Sequence, residues 1–402
     1  MKGERILNRD GKKKLNRQNL MILIVDLVLI IIFIGGFGWG IGTVKRYQVE
    51  PNTSRTETNT DSLYSESRFE KTLQKFKRLD LMVRLGPVKD AKTFNYTPDE
   101  FNVKYSSQPI VPGLKATKTL NAETGEVEVC TTMTPQGVTV AGNYLLTTAY
   151  DHDGFHNSVM YIQDLKTGKL LNTVVLNGRP HVGGLTYDAK NDNIWICGRR
   201  NNAAEVFAIK LKTALTYNVD KKAKAVAYSQ RAQLGNISRA SFVTYYENAL
   251  FVGFFNPTGK GNIQRYPLND KGQVVGKSLT SSISNQFDVL TQSVLHQDIL
   301  SKIQGMAFYG DYTILSQSYG GGNSTLYIFK TDPKKTIFRA SDAIDTFDMP
   351  SHLEQISTHD GRMYMMFESA AYAYRHRSTN QLDRVLSMNL EGFVQLVLKE
   401  EK

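Results

Sequence analysis

The chain repeats one local pattern five times: a short hydrophobic run, a two-residue polar turn and a second hydrophobic run. The five turns are Gly142-Asn143, Asp192-Asn193, Glu247-Asn248, Gly310-Asp311 and Asp360-Gly361. Apolar runs joined by Asn, Asp and Gly turns are typical of β-hairpins. A hairpin that recurs at intervals of about fifty residues indicates a β-propeller.

A further apolar run follows each hairpin and is predicted to form the third strand of a blade. These runs are SVMYIQDL, EVFAIKL, NIQRYPL, STLYIFK and RVLSMNL. The sequence therefore predicts an all-β fold, a single five-bladed β-propeller over residues 114–402. An upstream hairpin, KATKTLN and EVEVC, is expected to supply the outer strand of blade five, since closing the ring removes an exposed sheet edge.

Two insertions interrupt the repeat. Residues 213–232 carry a basic patch, Lys221, Lys222 and Lys224. Residues 284–302 have apolar side chains at helical spacing, which predicts a helix that caps one face of the ring. The alternative is a six-bladed ring whose extra blade lies within residues 213–232 or 277–302.

The N-terminal region predicts a membrane anchor. Residues 20–44 hold one charge, Asp26, and a bilayer is spanned by about 20 apolar residues. No A-x-A-like cleavage site follows, so we expect an uncleaved transmembrane signal anchor. Residues 1–19 are basic and should stay in the cytoplasm, which places the bulk of the chain outside the cell. Residues 45–113 are expected to be a linker, a juxtamembrane helix at residues 65–81 and an arm.

The net charge indicates which partners the chain favours, and the two cysteines indicate whether it holds a disulfide. The formal net charge is +11, which favours anionic surroundings such as wall polymers or lipid headgroups. No nucleic-acid-binding motif occurs, and we expect no nucleic-acid partner. Cys130 and Cys197 each lie in an apolar strand pattern, which favours buried free thiols over the disulfide that an exported protein could form.

Several segments carry a resemblance to known propellers. TPQGVTVAGNYLLTTAYD, NSVMYIQDLKTGK, HVGGLTYDAKNDNIWICG and FES resemble a family of secreted or membrane-anchored propeller-like proteins of Gram-positive bacteria, of uncharacterised function. GGLTYDAKNDNIWI is similar to the G-I-A-x-D-x-x-G-N-I-Y-V motif of NHL and SMP-30-like propellers. The resemblance covers residues 114–390 and implies the fold and an envelope location. It implies no catalytic residues, because propellers host many unrelated activities.

Propeller geometry predicts where the functional side chains meet. The first strands begin at one face of the ring, and the loops after the second strands return to that face. The candidate ligand-binding residues of this mouth are Gln136, Asp151, His181, Arg199, Arg239, Gln304, Tyr319, Glu354 and Glu368. Polar groups at a concave mouth are typical of a binding site. Gln136 and Gln304 have the alternative role of bonding neighbouring blades across the channel.

Residues 151–156 hold the densest group of potential metal ligands: Asp151, His152, Asp153 and His156. Asp-x-Asp-Gly is found in calcium sites, although the rest of a calcium loop is missing here. The two histidines could bind a transition metal with a third ligand such as His181. A solvated turn is the simpler interpretation. The sequence is compatible with a bound divalent cation as a cofactor but does not require one.

Three functions are compatible with these features. The leading hypothesis is a membrane-anchored extracellular propeller that binds an envelope polymer or a membrane protein partner through its channel mouth. The alternative is a hydrolase or lyase acting on an extracellular carbohydrate or phosphate-containing polymer, with Glu354 and Glu368, or Asp151 and His181, as an acid/base pair. The third is a structural subunit of a membrane complex. No G-x-S-x-G, P-loop or H-E-x-x-H motif occurs, and the sequence leaves open whether the chain is an enzyme.

Overall fold

The five sequence repeats fold as the hairpins of five separate sheets, the blades of a β-propeller. The structure, a computed structural model, describes residues 57–87, 96–279 and 287–400. The first strands of successive blades pack against one another around the axis, and the first strand of blade five packs against that of blade one. The chain is therefore all-β with a closed ring of five blades.

Two short helices and a hairpin precede the ring. Residues 65–81, predicted as one helix, form helix α1 (Glu66–Leu73), which the Ser65 side chain caps, and helix α2 (Lys77–Arg84). Strands β1 (Thr117–Leu120) and β2 (Val127–Cys130) pair as a two-stranded sheet of their own. The predicted place of this hairpin in blade five is wrong. It lies beside blade one, where Asn157 N donates to Leu120 O at 2.9 Å.

Blades one and two follow the hairpin. The strands of blade one are β3 (Met133–Ala141), β4 (Tyr144–Asp151), β5 (Val159–Asp164) and β6 (Leu170–Val175). The first four strands of blade two are β7 (Leu185–Asp188), β8 (Asn193–Arg200), β9 (Ala203–Lys210) and β10 (Gln230–Leu234). Helices α3 (Leu211–Leu215) and α4 (Val219–Lys222) lie between β9 and β10. The insertion at residues 213–232 therefore extends blade two and adds no sixth blade.

Blades three and four each have four strands. Those of blade three are β11 (Phe242–Tyr246), β12 (Ala249–Phe254), β13 (Gly261–Pro267) and β16 (Leu295–Ile299). Strands β14 (Lys277–Ser278) and β15 (Phe287–Thr291) join the outer edge of blade two, where β15 runs parallel to β10. Those of blade four are β17 (Ile303–Tyr309), β18 (Tyr312–Gln317), β19 (Ser324–Lys330) and β20 (Asp345–Met349). The predicted capping helix at residues 284–302 is wrong, because this segment supplies outer strands to two blades.

Blade five is extended by the arm and not by the β1–β2 hairpin. Its strands are β21 (Leu353–His359), β22 (Arg362–Phe367) and β23 (Leu386–Asn389). Ile110 forms an antiparallel bridge with Arg384, and Val111 N donates to Asp383 O at 2.9 Å. The Asp383 carboxylate also accepts from the backbone amides of residues 63 and 64. Helix α5 (Leu390–Glu400) follows blade five and packs with α2.

The core is divided among the junctions between blades. Each of five hydrophobic clusters joins two neighbouring blades, and the cluster between blades four and five also includes α1, α2 and α5. Trp195, fully buried, lies in the cluster between blades two and three. Burying apolar area contributes about 25 cal/mol per Å², so these junctions hold the ring together.

Gln355 links four blades at the axis. Its Oε1 accepts from the backbone amides of Val138 at 3.0 Å and Leu185 at 2.8 Å. Its Nε2 donates to the carbonyl oxygens of Leu185 at 2.7 Å and Val243 at 2.9 Å. A residue of blade five therefore hydrogen-bonds the first strands of blades one, two and three.

No helix within the described ranges is both long and apolar enough to cross a membrane. The predicted anchor at residues 20–44 lies outside those ranges.

Candidate functional site

A cavity of about 1090 Å³ opens at the face of the ring where the first strands begin. Eight of the nine candidate residues line it: Gln136, His181, Arg199, Arg239, Gln304, Tyr319, Glu354 and Glu368. They come from all blades because the starts of the first strands and the ends of the second strands share this face. Asp151 is not among the residues that line the cavity.

Two buried carboxyl groups lie side by side in the cavity wall. Glu354 is the second residue of blade five's first strand and Glu368 follows its second strand, so the hairpin brings the two together. Gln304 Nε2 donates to Glu354 Oε1 at 3.2 Å, and Gln136 Nε2 donates to Glu368 Oε2 at 2.8 Å. Both glutamines therefore line the cavity and also bond blade five from blades four and one.

Glu354 and Glu368 influence each other's ionisation. Burial, followed by the charge of Glu368 and a side-chain hydrogen bond with it, raises the pKa of Glu354 well above its ordinary value. Two adjacent carboxylates in a buried site repel each other, and sharing one proton relieves that repulsion. The pair therefore presents one acid and one carboxylate to the cavity.

His352 is a cavity residue that the sequence reasoning missed. Its Nδ1 lies 3.2 Å from Glu368 Oε1, and its ring is buried. Its Nε2 is also buried and has no hydrogen-bond partner among the described residues. The backbone of His352 is left-handed, with φ of 60°, a conformation that costs a non-glycine residue energy and often marks a functional position. His352 lies one residue before the strand Leu353–His359, so the alternation of that strand could not point to it in the sequence.

Aromatic rings connect the two histidines of the cavity. His181 stacks on Tyr150 with ring centroids 4.2 Å apart, and His352 lies 5.0 Å from the ring of Tyr374. Tyr150 and Tyr374 share a hydrogen bond. His181 faces the open cavity but is closely surrounded by protein, and this desolvation, with the nearby His152, lowers its pKa. Burial raises the pKa of Tyr374 to about 12. His181 and Tyr374 are therefore both neutral near pH 7.

Arginines surround the opening of the cavity. Arg231 is paired with the buried Glu205, to which its Nη2 donates at 2.8 Å. Arg199, Arg239 and Arg377 line the cavity, are exposed, and have no hydrogen-bond or ion-pair partner for their side chains among the described residues. These three cations are therefore available to a ligand.

Asp151 organises its own loop instead of facing the cavity. Its carboxylate accepts from the backbone amides of Asp153, Phe155 and His156 and from the Thr132 hydroxyl. His156 Nδ1 lies 2.8 Å from Asp151 Oδ2, and His156 Nε2 lies 3.2 Å from a Glu128 carboxylate oxygen. With this many donors, Asp151 has little capacity left for a metal or for proton transfer with His181.

The four weak metal candidates do not form one ligand set. Asp151 and His156 come together with Cys130, and their ligand atoms all lie within 4.8 Å of one another. His152 lies instead beside the rings of Tyr150 and Tyr374. Cys130 and Cys197 are both buried free thiols, as the sequence favoured.

Replacing His156 with Ala is expected to lower the free energy of unfolding by about 2 kcal/mol, the magnitude of a hydrogen bond between charged groups. Its hydrogen bond to Asp151 raises the pKa of His156 to about 10, and hydrogen bonds from His156 and Thr132 lower that of Asp151. The stabilisation linked to the charged histidine is fully present below its unfolded pKa of about 6.5, and that linked to the ionised aspartate is fully present above its unfolded pKa of about 3.9.

The difference from the parent chain should therefore be largest between about pH 4 and 6.5 and should vanish as the pH rises through about 10. Urea denaturation at pH 5.5, 8 and 10 measures it. His359→Ala, which removes a histidine paired with the exposed Asp360, is the matched control. A His156→Ala difference that does not change with pH would contradict the ion pair.

Comparisons with known proteins show distant likeness only. The sequence matches no protein-family profile and no curated protein. Among solved structures, hydrazine synthase of Kuenenia stuttgartiensis aligns with a TM-score of 0.30 at 10% identity, over 59% of this chain and 56% of that chain. The β-propeller domain of the Trilobed protease from Pyrococcus furiosus aligns with a TM-score of 0.28 at 10% identity, over 59% and 79%. The computationally designed Ika4 protein aligns with a TM-score of 0.24 at 11% identity, over 49% and 91%.

The chain thus spans just over half the length of the hydrazine synthase chain that it matches. Its own strand pairing defines the class of protein, a five-bladed β-propeller.

Proposed function

We propose that this chain is a membrane-anchored extracellular propeller whose central cavity binds an anionic polymer of the cell envelope. The observation that carries the proposal is the set of three arginines, Arg199, Arg239 and Arg377, which line one cavity without carboxylate partners in the described chain. Arginine binds carboxylate and phosphate groups through paired N–H donors.

The charge balance of the cavity supports an anionic ligand. Arg231 and Glu205 neutralise each other, and the raised pKa of Glu354 favours its uncharged form. Arg179 also lines the opening and donates to Gly154 O at 2.6 Å while keeping its charge. Four arginines therefore face one remaining carboxylate, Glu368, and a positive field in a low-dielectric cleft attracts and concentrates anions.

The shape and surface of the cavity suit a polymer that contains sugar rings. Tyr319 is 63% exposed at the opening, and its ring centroid lies 6.1 Å from that of Phe255. Exposed aromatic faces at a cavity provide apolar contact area with a polar tip. The volume of about 1090 Å³ is at the upper end of ordinary ligand pockets.

The predicted anchor supports the location of the ligand. Residues 20–44 and their basic flank would tether the ring outside the membrane, where anionic wall polymers and lipid headgroups occur. The resemblance to propeller-like proteins of Gram-positive bacteria agrees with this location.

Replacing Arg199, Arg239 and Arg377 together with Ala is expected to weaken binding of an anionic polymer by about 100-fold, since each lost charged contact costs about 1 kcal/mol or more. The assay is isothermal titration of the full-length chain in detergent with polygalacturonate and with poly(glycerol phosphate). Binding of the parent chain should weaken as salt is added.

The matched control is the triple Ala variant of Lys221, Lys222 and Lys224, which removes the same charge outside the cavity. Neutral dextran tests whether the charge of the polymer is required. Equal losses in the two triple variants would show a non-specific charge effect and contradict binding in the cavity.

A catalytic role is the second candidate, and one observation favours it. The protonated Glu354 lies beside Glu368, and an acid next to a base in a ligand cavity is the arrangement that general acid–base catalysis requires.

A further inference from the structure

We propose that His352 and Glu354 cleave a uronate-containing glycan in this cavity by β-elimination, with Glu368 as a positioning residue. This inference rests on the proposed anionic-polymer function and names its substrate class and reaction. It is carried by the placement of His352, Glu368 and Glu354 in one wall of the cavity.

His352 has the arrangement of an oriented general base. Glu368 Oε1 lies 3.2 Å from His352 Nδ1, and a carboxylate can only accept at that position, so it selects the tautomer with hydrogen on Nδ1. Nε2 then carries a free lone pair. That atom is buried and without a partner in the described chain, in a ring that lines the cavity. The same logic of carboxylate, histidine and reacting group operates in catalytic triads.

Glu354 provides the complementary acid. It is buried, it holds a proton in its contact with Glu368, and its Oε1 accepts from Gln304 Nε2. Glu368 therefore touches both the base and the acid. After a reaction, a proton can return from His352 to Glu354 through this shared neighbour, which restores the starting state.

The spacing of the carboxyl groups argues against ordinary glycoside hydrolysis. Retaining glycosidases separate their two carboxyl groups by about 5–5.5 Å and inverting ones by about 6.5–9.5 Å. Glu354 and Glu368 are close enough to share a hydrogen bond, which leaves no room for a sugar carbon or a water between them. A reaction that needs one base and one acid, and no nucleophile between them, fits this pair better.

Elimination meets this requirement. His352 Nε2 removes the proton from the carbon next to the uronate carboxylate, and the C–H electron pair forms a C=C bond with the adjacent ring carbon. The bond from that carbon to the glycosidic oxygen breaks, and the oxygen takes the proton of Glu354. One product ends in an unsaturated uronate and the other in a hydroxyl. No water or oxidant is consumed.

The arginines have a defined task in this reaction. Negative charge develops on the uronate carboxylate as the carbon–hydrogen bond breaks, and fixed cations aimed at that group stabilise the transition state. Arg199, Arg239 and Arg377 line the same cavity and are free to provide this contact. A neutral sugar would lack the group that makes the proton acidic.

The test incubates the full-length chain in detergent with polygalacturonate, alginate and hyaluronan, and follows the ultraviolet absorbance of the conjugated double bond. His352→Asn should lower kcat by about 100-fold to 10,000-fold with KM little changed. Asn suits the left-handed backbone at this position. Glu354→Gln should lower kcat similarly, and Glu368→Gln should shift the pH profile of kcat. His296→Asn, an exposed histidine away from the cavity, is the control.

The outcomes separate the two proposals. Loss of the unsaturated product in both His352→Asn and Glu354→Gln, with wild-type melting temperatures, supports elimination. New reducing ends without the absorbance would overturn it in favour of hydrolysis. Binding of the polyuronates without any cleavage would overturn this inference and leave the proposed function intact. Failure to bind any anionic polymer would overturn both.

Discussion

Replacing Gln355 with Met is expected to lower the free energy of unfolding by about 4 kcal/mol, because four buried hydrogen bonds of roughly 1 kcal/mol each are lost. Met has a similar volume, so little of the loss would come from a cavity. The bonds run from blade five to the backbone of blades one, two and three. Urea denaturation followed by the fluorescence of the fully buried Trp195 measures the change.

The control for this prediction is Gln74→Met. Gln74 follows the last residue of helix α1, and its side chain bonds only the exposed Glu70 carboxylate in the described chain, at 3.1 Å. A change of a few tenths of a kcal/mol is expected there. If Gln355→Met were as mild as Gln74→Met, the first strands would be held by the apolar junctions alone.

Gln355 explains a pattern at the start of the first strands. Blades one, two and four have Gly137, Gly184 and Gly305 near the start of the first strand, and an added Cβ at each glycine would meet atoms of a neighbouring blade. Gln355 occupies the corresponding place in blade five. A Cβ on Gly137 would lie 3.1 Å from Gln355 Oε1, so the glycine of blade one leaves space for this long side chain.

The inner part of each blade could be predicted from the sequence. Each hairpin is encoded by two apolar runs and the short polar turn between them, so the first two strands of a blade can be read from neighbouring residues. Propeller geometry then places the starts of the first strands and the ends of the second strands at one face. Eight of the nine candidate residues line one cavity for this reason. The five-blade count follows from the same repeats.

The outer strands could not be predicted in the same way. Phe287, Leu290, Val294 and Ile299 fit helical spacing, yet they fall in two short strands and the turn between them. This segment forms strand and not helix because of a non-local pairing: β15 runs parallel to β10, which lies more than fifty residues earlier. Tertiary pairing therefore overrides the local pattern.

The sequence did not predict that the segment around Ile110 extends blade five, nor that His352 lines the cavity, and both failures have a local cause. Ile110 forms an isolated bridge with Arg384, and so short a pairing leaves no strand pattern in the sequence. The prediction therefore favoured the longer β1–β2 hairpin. His352 precedes the regular strand and has a left-handed backbone, which the strand pattern does not anticipate. Asp151 was placed at the mouth by position alone, and its hydrogen bonds turn it toward its own loop.

Replacing Gly184 with Ala is expected to destabilise the ring by about 3 kcal/mol or more, since overpacking of a tight contact typically costs 1–3 kcal/mol. An added Cβ would lie about 2.6 Å from the Phe242 Cα and closer still to Val243 N, both backbone atoms of blade three. Backbone cannot rotate away as a flexible side chain can, so blades two and three would have to separate. Trp195 lies in the cluster between these two blades, and its fluorescence should report the change.

Gly322→Ala is the matched control, because no neighbouring residue of the described chain lies within 4 Å of an added Cβ there and its φ is outside the left-handed region. Urea denaturation of both variants should show a change of at most a few tenths of a kcal/mol for Gly322→Ala. Both variants replace a glycine with alanine, so the effect of this change on the conformational entropy of the unfolded chain is the same in both and cancels in the comparison. Equal stabilities would mean that blades two and three do not meet as closely as the contact between Gly184 and Phe242 requires.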